Sequence, residues 1–232
     1  MDEQAALDST AGPPGWAVLH LFGRVGPATD GLALLAAVKE AEAAGDQVVT
    51  AALLGHKADL GFMVLGDDPW RQRAFQSAVA AAGLELAGSY VSLTEVSEYA
   101  AGVPEAMKEA RLHPRLPPEG KPAFCFYPMS KRRGETENWY LLPYEDRKAQ
   151  MMGHGTVGRT FAGRVLQVVT GSTGLDDWEW GVTLFAGTAA DLKDCVYTMR
   201  FDEASARYAE FGPFWTGMVA EASEVVDRVL GR

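Results

Sequence analysis

Cysteine is scarce: Cys125 and Cys195 are the two in 232 residues, far apart and without CxxC spacing. That excludes a zinc knuckle and a disulfide framework, and sets the expectation of a reducing cytoplasm. Positive charge is also short, with 21 Lys and Arg against 31 Asp and Glu and a net charge of -10. Nucleic acid and anionic membrane surfaces are bound by clustered cations, so neither is expected as a partner. Basic residues that do cluster therefore suggest a local anionic ligand. Long apolar runs are missing too: "VVTAALLG" is far below the roughly 20 residues that span a bilayer. The opening stretch, MDEQAALDSTAGPPG, lacks the positive charge and apolar run of a secretory signal and reads as a disordered tail over residues 1–15. No G-x-S-x-G, H-E-x-x-H or P-loop occurs.

What is present is a composition 47% hydrophobic, enough for a large core, arranged in a pattern that occurs twice. In the first half, "WAVLHLFGRV" reads as a strand, "DGLALLAAVKEAEAAG" as a helix, and "DQVVTAALLG" and "KADLGFMVLG" as strands. "PWRQRAFQSAVAAAGL" follows as a helix and "ELAGSYVSLTEV" as a strand. After a polar, proline-rich connector (101–121), "AFCFYPMS" and "NWYLL" read as strand and "PYEDRKAQMMGHGTVGRTFA" as helix. "GRVLQVVTG" and "DWEWGVTLFA" are strands, "TAADLKDCVYTMRF" a helix, and the last strand lies around "YAEFGPFWTGMV". The expected class is α+β, with two β-α-β-β-α-β ferredoxin-like units, 16–100 and 122–232, packed face to face or joined into a barrel.

Within the second unit, "GHGTVG" fits G-x-G-x-x-G. A dinucleotide loop must follow a strand and open a helix, whereas "EDRKAQMM" before these glycines is polar and helical, so that reading fails. On one helix, Gln150, Met151, His154, Val157, Gly158 and Phe161 share a stripe. Helical glycine costs about 1 kcal/mol against alanine, so Gly153, Gly155 and Gly158 need a reason. Close packing beside a core histidine is one; clearance for a flat, bulky object is the other.

In "FCFYPMSKRR" a period of two puts Tyr127, Met129 and Lys131 on one face and Phe124, Phe126 and Pro128 on the other. A cation near an inward phenol suits an anionic group, although a charge run can equally be a solvated strand end. Gln167 interrupts an apolar strand and needs a hydrogen-bond partner if buried. Trp178 and Trp180 alternate onto one face, as core or as the wall of a planar ligand.

Together, "FCFYPMSKRR", "NWYLLPYEDR", "MMGHGTVGRTFAGRVLQVVTGSTGLDDWEWGVTLFA" and "MRFDEASARYAEFGPFWTGM" closely resemble the coproheme decarboxylases of the chlorite dismutase superfamily, of the actinobacterial type. The resemblance covers nearly all of the second half, and the first half chiefly through "GSYVSLTEVSEY". It implies paired ferredoxin-like units in a homopentamer. It also implies conversion of iron coproporphyrin III (coproheme) to haem b, through a three-propionate intermediate, with hydrogen peroxide as oxidant. His154 resembles the proximal iron ligand and Tyr127 the tyrosine whose radical abstracts hydrogen from a propionate. Lys131 and Arg111 match positions that hold the reacting propionates. Pro128, Met129, Ser130, Arg159, Gln167 and Ser205 match others around the porphyrin. His113 resembles a distal base that deprotonates peroxide. Two alternatives remain: a non-catalytic haem-binding or delivery protein, which needs no redox-active phenol, and a chlorite-splitting enzyme, in which arginine is expected where Gln167 stands.

Overall fold

The computed structural model describes residues 15–100 and 102–231, so all but Gly15 of the expected tail lies outside the described residues. The first unit follows its pattern: β1 (Ala17–Arg24), α1 (Gly31–Ala43), β2 (Gln47–Leu53), β3 (Leu60–Gly66), α2 (Pro69–Ala81) and β4 (Glu85–Thr94). Asp30 and Asp68 cap the two helices through their carboxylates, a contribution of about 1 kcal/mol each. The second unit contains β5 (Ala123–Lys131), α4 (Tyr144–Arg159), β6 (Val165–Gly171), β7 (Trp180–Ala186), α5 (Ala189–Met199), a short α6 (Glu203–Tyr208), β8 (Ala209–Phe211) and β9 (Trp215–Val219).

Four details depart from the sequence reading. The connector holds a helix, α3 (Glu105–Leu112), bracketed by Pro104 and Pro114. "NWYLL" is a 3-10 turn at Trp139–Leu141, because the Asn138 side chain accepts from the Tyr140 N–H. The last strand is split at Gly212-Pro213 into β8 and β9, which pair with opposite ends of β5. A final amphipathic helix, α7 (Ala222–Leu230), buries Val225 and Val226.

The pairings close a ring in the order β1, β3, β2, β9, β5, β7, β6, β4 and back to β1, all antiparallel. The two halves meet at two short seams, Ala51–Leu53 with Gly217–Val219 and Leu93–Thr94 with Thr170–Gly171. At the first seam a Cβ on Gly217 would collide with the Ala52 carbonyl. Inside the ring Val18, Phe22, Met63, Phe124, Phe126 and Phe185 form one core. Outside it, Leu19, Leu21, Phe62 and Val64 pack beneath α1, α2 and α7 against Leu34, Phe75 and Val225. This is why β1 is buried continuously rather than alternately from Ala17 to Gly23: both of its faces are covered. Among the described residues, no helix is long and apolar enough to cross a membrane.

Candidate functional site

The outer face of the first half-ring is filled by side chains from α1 and α2. The corresponding space in the second half is not, because α4, with its run of polar residues and glycines, contributes no fully buried side chain. A cavity of about 680 Å³ results, a size typical of small-molecule and cofactor sites. Its floor is the outer face of β5, β6 and β7, and α4 forms the opposing wall. Residues from α5, α3 and the segment around Glu95–Tyr99 complete it.

On the α4 wall, His154 Nδ1 lies 3.0 Å from Asp202 Oδ2 and 3.3 Å from Ser205 Oγ. A carboxylate acceptor fixes the proton on Nδ1 and leaves the Nε2 lone pair free for a metal. Asp202 serves twice, since Oδ1 also accepts the Ser205 N–H at the start of α6. Burial pushes its carboxyl up, but the hydrogen bonds from His154 and Ser205 outweigh that and leave the pKa below the usual carboxylate value. A lone imidazole so prepared, beside a large apolar cavity, fits an iron that arrives with a macrocycle supplying its equatorial ligands. Of the three glycines, a Cβ on Gly158 would face Met199 and Gln167 at 3.7–4.0 Å, both cavity residues. At Gly153 it would meet nothing within 4 Å, and at Gly155 only Arg159 Nη1. Of the three, Gly158 is therefore the one whose added side chain would point at cavity residues.

On the sheet floor, Tyr127 is 8% exposed and stacks on Phe214 at 4.5 Å and 24°. Burial raises the pKa of its phenol, which has no hydrogen-bonding partner among the described residues. Lys131 is buried, donates to the Ala204 carbonyl at 3.0 Å and lies over the Trp139 ring at 4.5 Å. Burial lowers its pKa to about 8, against the restoring pull of Asp202 and Glu179. Two of its three donors remain available. Gln167 finds its partner in Cys195 Sγ, 3.4 Å away.

The fold thus gathers Arg111, Tyr127, Met129, Lys131, His154, Gln167 and Ser205 around one cavity. Four expected residues lie elsewhere. Pro128 is on the opposite face of β5, packed with Trp178 against Gly212. Ser130 turns its hydroxyl to the Glu179 N–H. Arg159 is exposed at the end of α4 and donates to Thr156. His113 follows α3 with Nδ1 2.6 Å from Glu109 Oε1 and its ring against Trp16 at 4.8 Å, and it does not line the cavity that its neighbours Arg111 and Pro114 line. The tryptophan pair divides, because Trp178 precedes β7: Trp180 lines the cavity while Trp178 packs on the inner core. Arg147 and Tyr99 also line the cavity and were not expected from sequence. For Arg147 a signal existed, since extending the helical stripe of Met151 and His154 back by i-4 reaches it.

The chain matches the family model described as chlorite dismutase over residues 29–220. A Natronomonas pharaonis protein named for haem binding is 44% identical over 216 residues, covering 85% of this chain and 35% of its own length. The chain thus spans about a third of that curated relative. A solved haem-binding protein from Thermus thermophilus is 37% identical, with a TM-score of 0.85 and coverage of 96% of this chain and 98% of its own. A variant of chlorite dismutase from Candidatus Nitrospira defluvii is 21% identical over 99% of both chains, with a TM-score of 0.74. At that identity the likeness is one of fold.

Proposed function

The chain belongs to the chlorite dismutase family, and from that premise we propose that it converts coproheme to haem b by oxidative decarboxylation with hydrogen peroxide. The observation that carries this reading is Tyr127. A buried phenol with no hydrogen-bonding partner among the described residues lies on the floor of the cavity whose opposite wall bears His154. Binding alone has no use for a redox-active group there.

The balance for each propionate is -CH2CH2COO⁻ + H2O2 + H⁺ → -CH=CH2 + CO2 + 2 H2O. The substrate's iron, held by His154, supplies the oxidising equivalents drawn from peroxide. Tyr127, oxidised to its phenoxyl form, takes a hydrogen atom from the propionate β-carbon. Loss of a second electron and of carbon dioxide leaves the vinyl group. Lys131 and Arg111 hold carboxylates by charge-assisted hydrogen bonds, and Asp202 keeps the His154 ring oriented. Met129, Gln167 and Ser205 complete the porphyrin's surroundings. His113 does not line the cavity and is not assigned the deprotonation of peroxide. Family membership also supports a homopentamer, which light scattering tests.

Ferric coproporphyrin III titrated with peroxide is expected to yield a three-propionate species and then haem b, followed by mass spectrometry. Bleaching of the porphyrin without loss of carbon dioxide sinks this reading. It would leave the second one, haem binding or delivery without catalysis, which is favoured by the two relatives named for haem binding. Chlorite chemistry is disfavoured by Gln167 on the floor, where a guanidinium would be wanted for an oxyanion.

A further inference from the structure

We infer that Arg147 is a carboxylate-binding residue of the cavity, pairing a propionate at the substrate's edge and thereby setting preference for porphyrins that carry one there. The inference rests on the porphyrin-binding part of the function proposed above. Arg147 lines the cavity with a side chain only 20% exposed. Its Nε donates to the Tyr99 hydroxyl at 3.1 Å and Nη1 to the Leu142 carbonyl at 3.0 Å. Both acceptors are neutral. The nearest carboxylate, Glu98 Oε2, stands 3.9 Å from Nη2 and belongs to a half-exposed side chain. A guanidinium with limited access to water thus has only this long pairing with a carboxylate among the described residues, an arrangement that an entering carboxylate improves.

Its position along α4 adds an independent argument. Arg147, Met151 and His154 share one stripe, and all three line the cavity. The seven residues from Arg147 to His154 are two helical turns, about 10 Å along the axis. That is the scale of the span from a porphyrin's centre to a carboxylate on its rim. With iron at His154, a propionate directed toward the N-terminal end of α4 ends beside Arg147. Arg111 on α3 and Lys131 on β5 approach from other elements, so the cations are distributed around the cavity as a ring of carboxylates requires.

The test is a binding titration without peroxide, using ferric coproporphyrin III and its tetramethyl ester with wild type, Arg147→Met, Arg147→Lys and Arg132→Met. Arg132 is an exposed cation paired with Glu210 and serves as the control. Arg147→Met is expected to weaken the free acid roughly 10- to 100-fold, the range for a hydrogen bond to a charged group, and to leave the ester unchanged. Arg147→Lys should recover part of the loss. If Arg147 only ties the Glu98–Tyr99 segment to α4, both porphyrins weaken alike, and the inference is overturned. It is equally overturned if Arg132→Met loses as much as Arg147→Met. Failure of the wild type to bind either porphyrin removes the proposed function together with this inference. Binding with no free-acid preference at Arg147 removes the inference alone.

Discussion

Tyr127 and His113 separate cleanly as residues, because one lines the cavity and the other does not. Tyr127→Phe keeps the ring on Phe214 and so preserves the packing, but removes the oxidisable hydroxyl. It is expected to bind coproheme with affinity within a few-fold of wild type while decarboxylation falls by at least about 100-fold, the order of a lost catalytic group. His113→Ala breaks only contacts with Glu109 and Trp16 and should leave turnover within about twofold, as expected away from the reacting groups. Single-turnover mass spectrometry reads both, and the assignments reverse if His113→Ala is the slower. Period-two alternation was enough to place Tyr127, Met129 and Lys131 on one face, because a paired strand holds its side chains to that period. It could not place His113, which follows α3 in a connector where neither period applies. Nor could it reveal that Asp202, forty-eight positions from His154, caps a six-residue helix with one oxygen and orients the imidazole with the other.

Among the elements, α4 is the one whose sequence and task conflict, since its three glycines lower helix propensity in the wall that must hold His154. Their environments differ enough to be tested apart. Gly153→Ala meets nothing within 4 Å and should stabilise the protein by up to about 1 kcal/mol, the helical difference between the two residues, with porphyrin affinity unchanged. Gly158→Leu gains similar propensity but thrusts its side chain toward Gln167 and Met199, so affinity should fall while thermal stability does not. Equal affinities for the two variants in a porphyrin titration would show that clearance at Gly158 is not needed. The long periodic elements were legible because hydrophobic period alone specifies them. Three of the missed ones had a competing cause. Proline-rich flanks concealed the good helix formers of α3 ("EAMKEARL"), a side-chain cap turned "NWYLL" from strand into 3-10 turn, and Pro213, lacking an N–H, interrupted the final strand.

At the scale of the whole molecule, the two units were readable and a joint barrel was one of the two arrangements they allowed, but which strands close the ring was not, because register between distant strands leaves no periodic trace. His20 on β1 shows how closure is held: its Nε2 lies 3.0 Å from Thr183 Oγ1 on β7, and its ring stacks on Phe126 of β5 at 4.1 Å. A first-half side chain thus joins two second-half strands inside the core. His20 is fully buried, its Nδ1 has no partner, and burial lowers its pKa to about 3. An unfolded histidine titrates near 6.5, so between these values the unfolded chain takes up a proton that the native ring excludes. The stability contributed by neutral His20 is therefore complete above about pH 6.5 and is lost progressively as pH falls toward 3. By pH 4.5 the loss amounts to roughly 2 to 3 kcal/mol, at about 1.4 kcal/mol for each unit of pH. His20→Gln keeps a polar group for Thr183 but does not titrate, so it should be less stable than wild type at pH 7 and lose less on acidification. Urea midpoints for both proteins at pH 7 and pH 4.5 provide the measurement, with the carboxylates common to the two cancelling in the difference. An equal fall in the two proteins would mean that acid opens the ring elsewhere and that His20 is not its weak point.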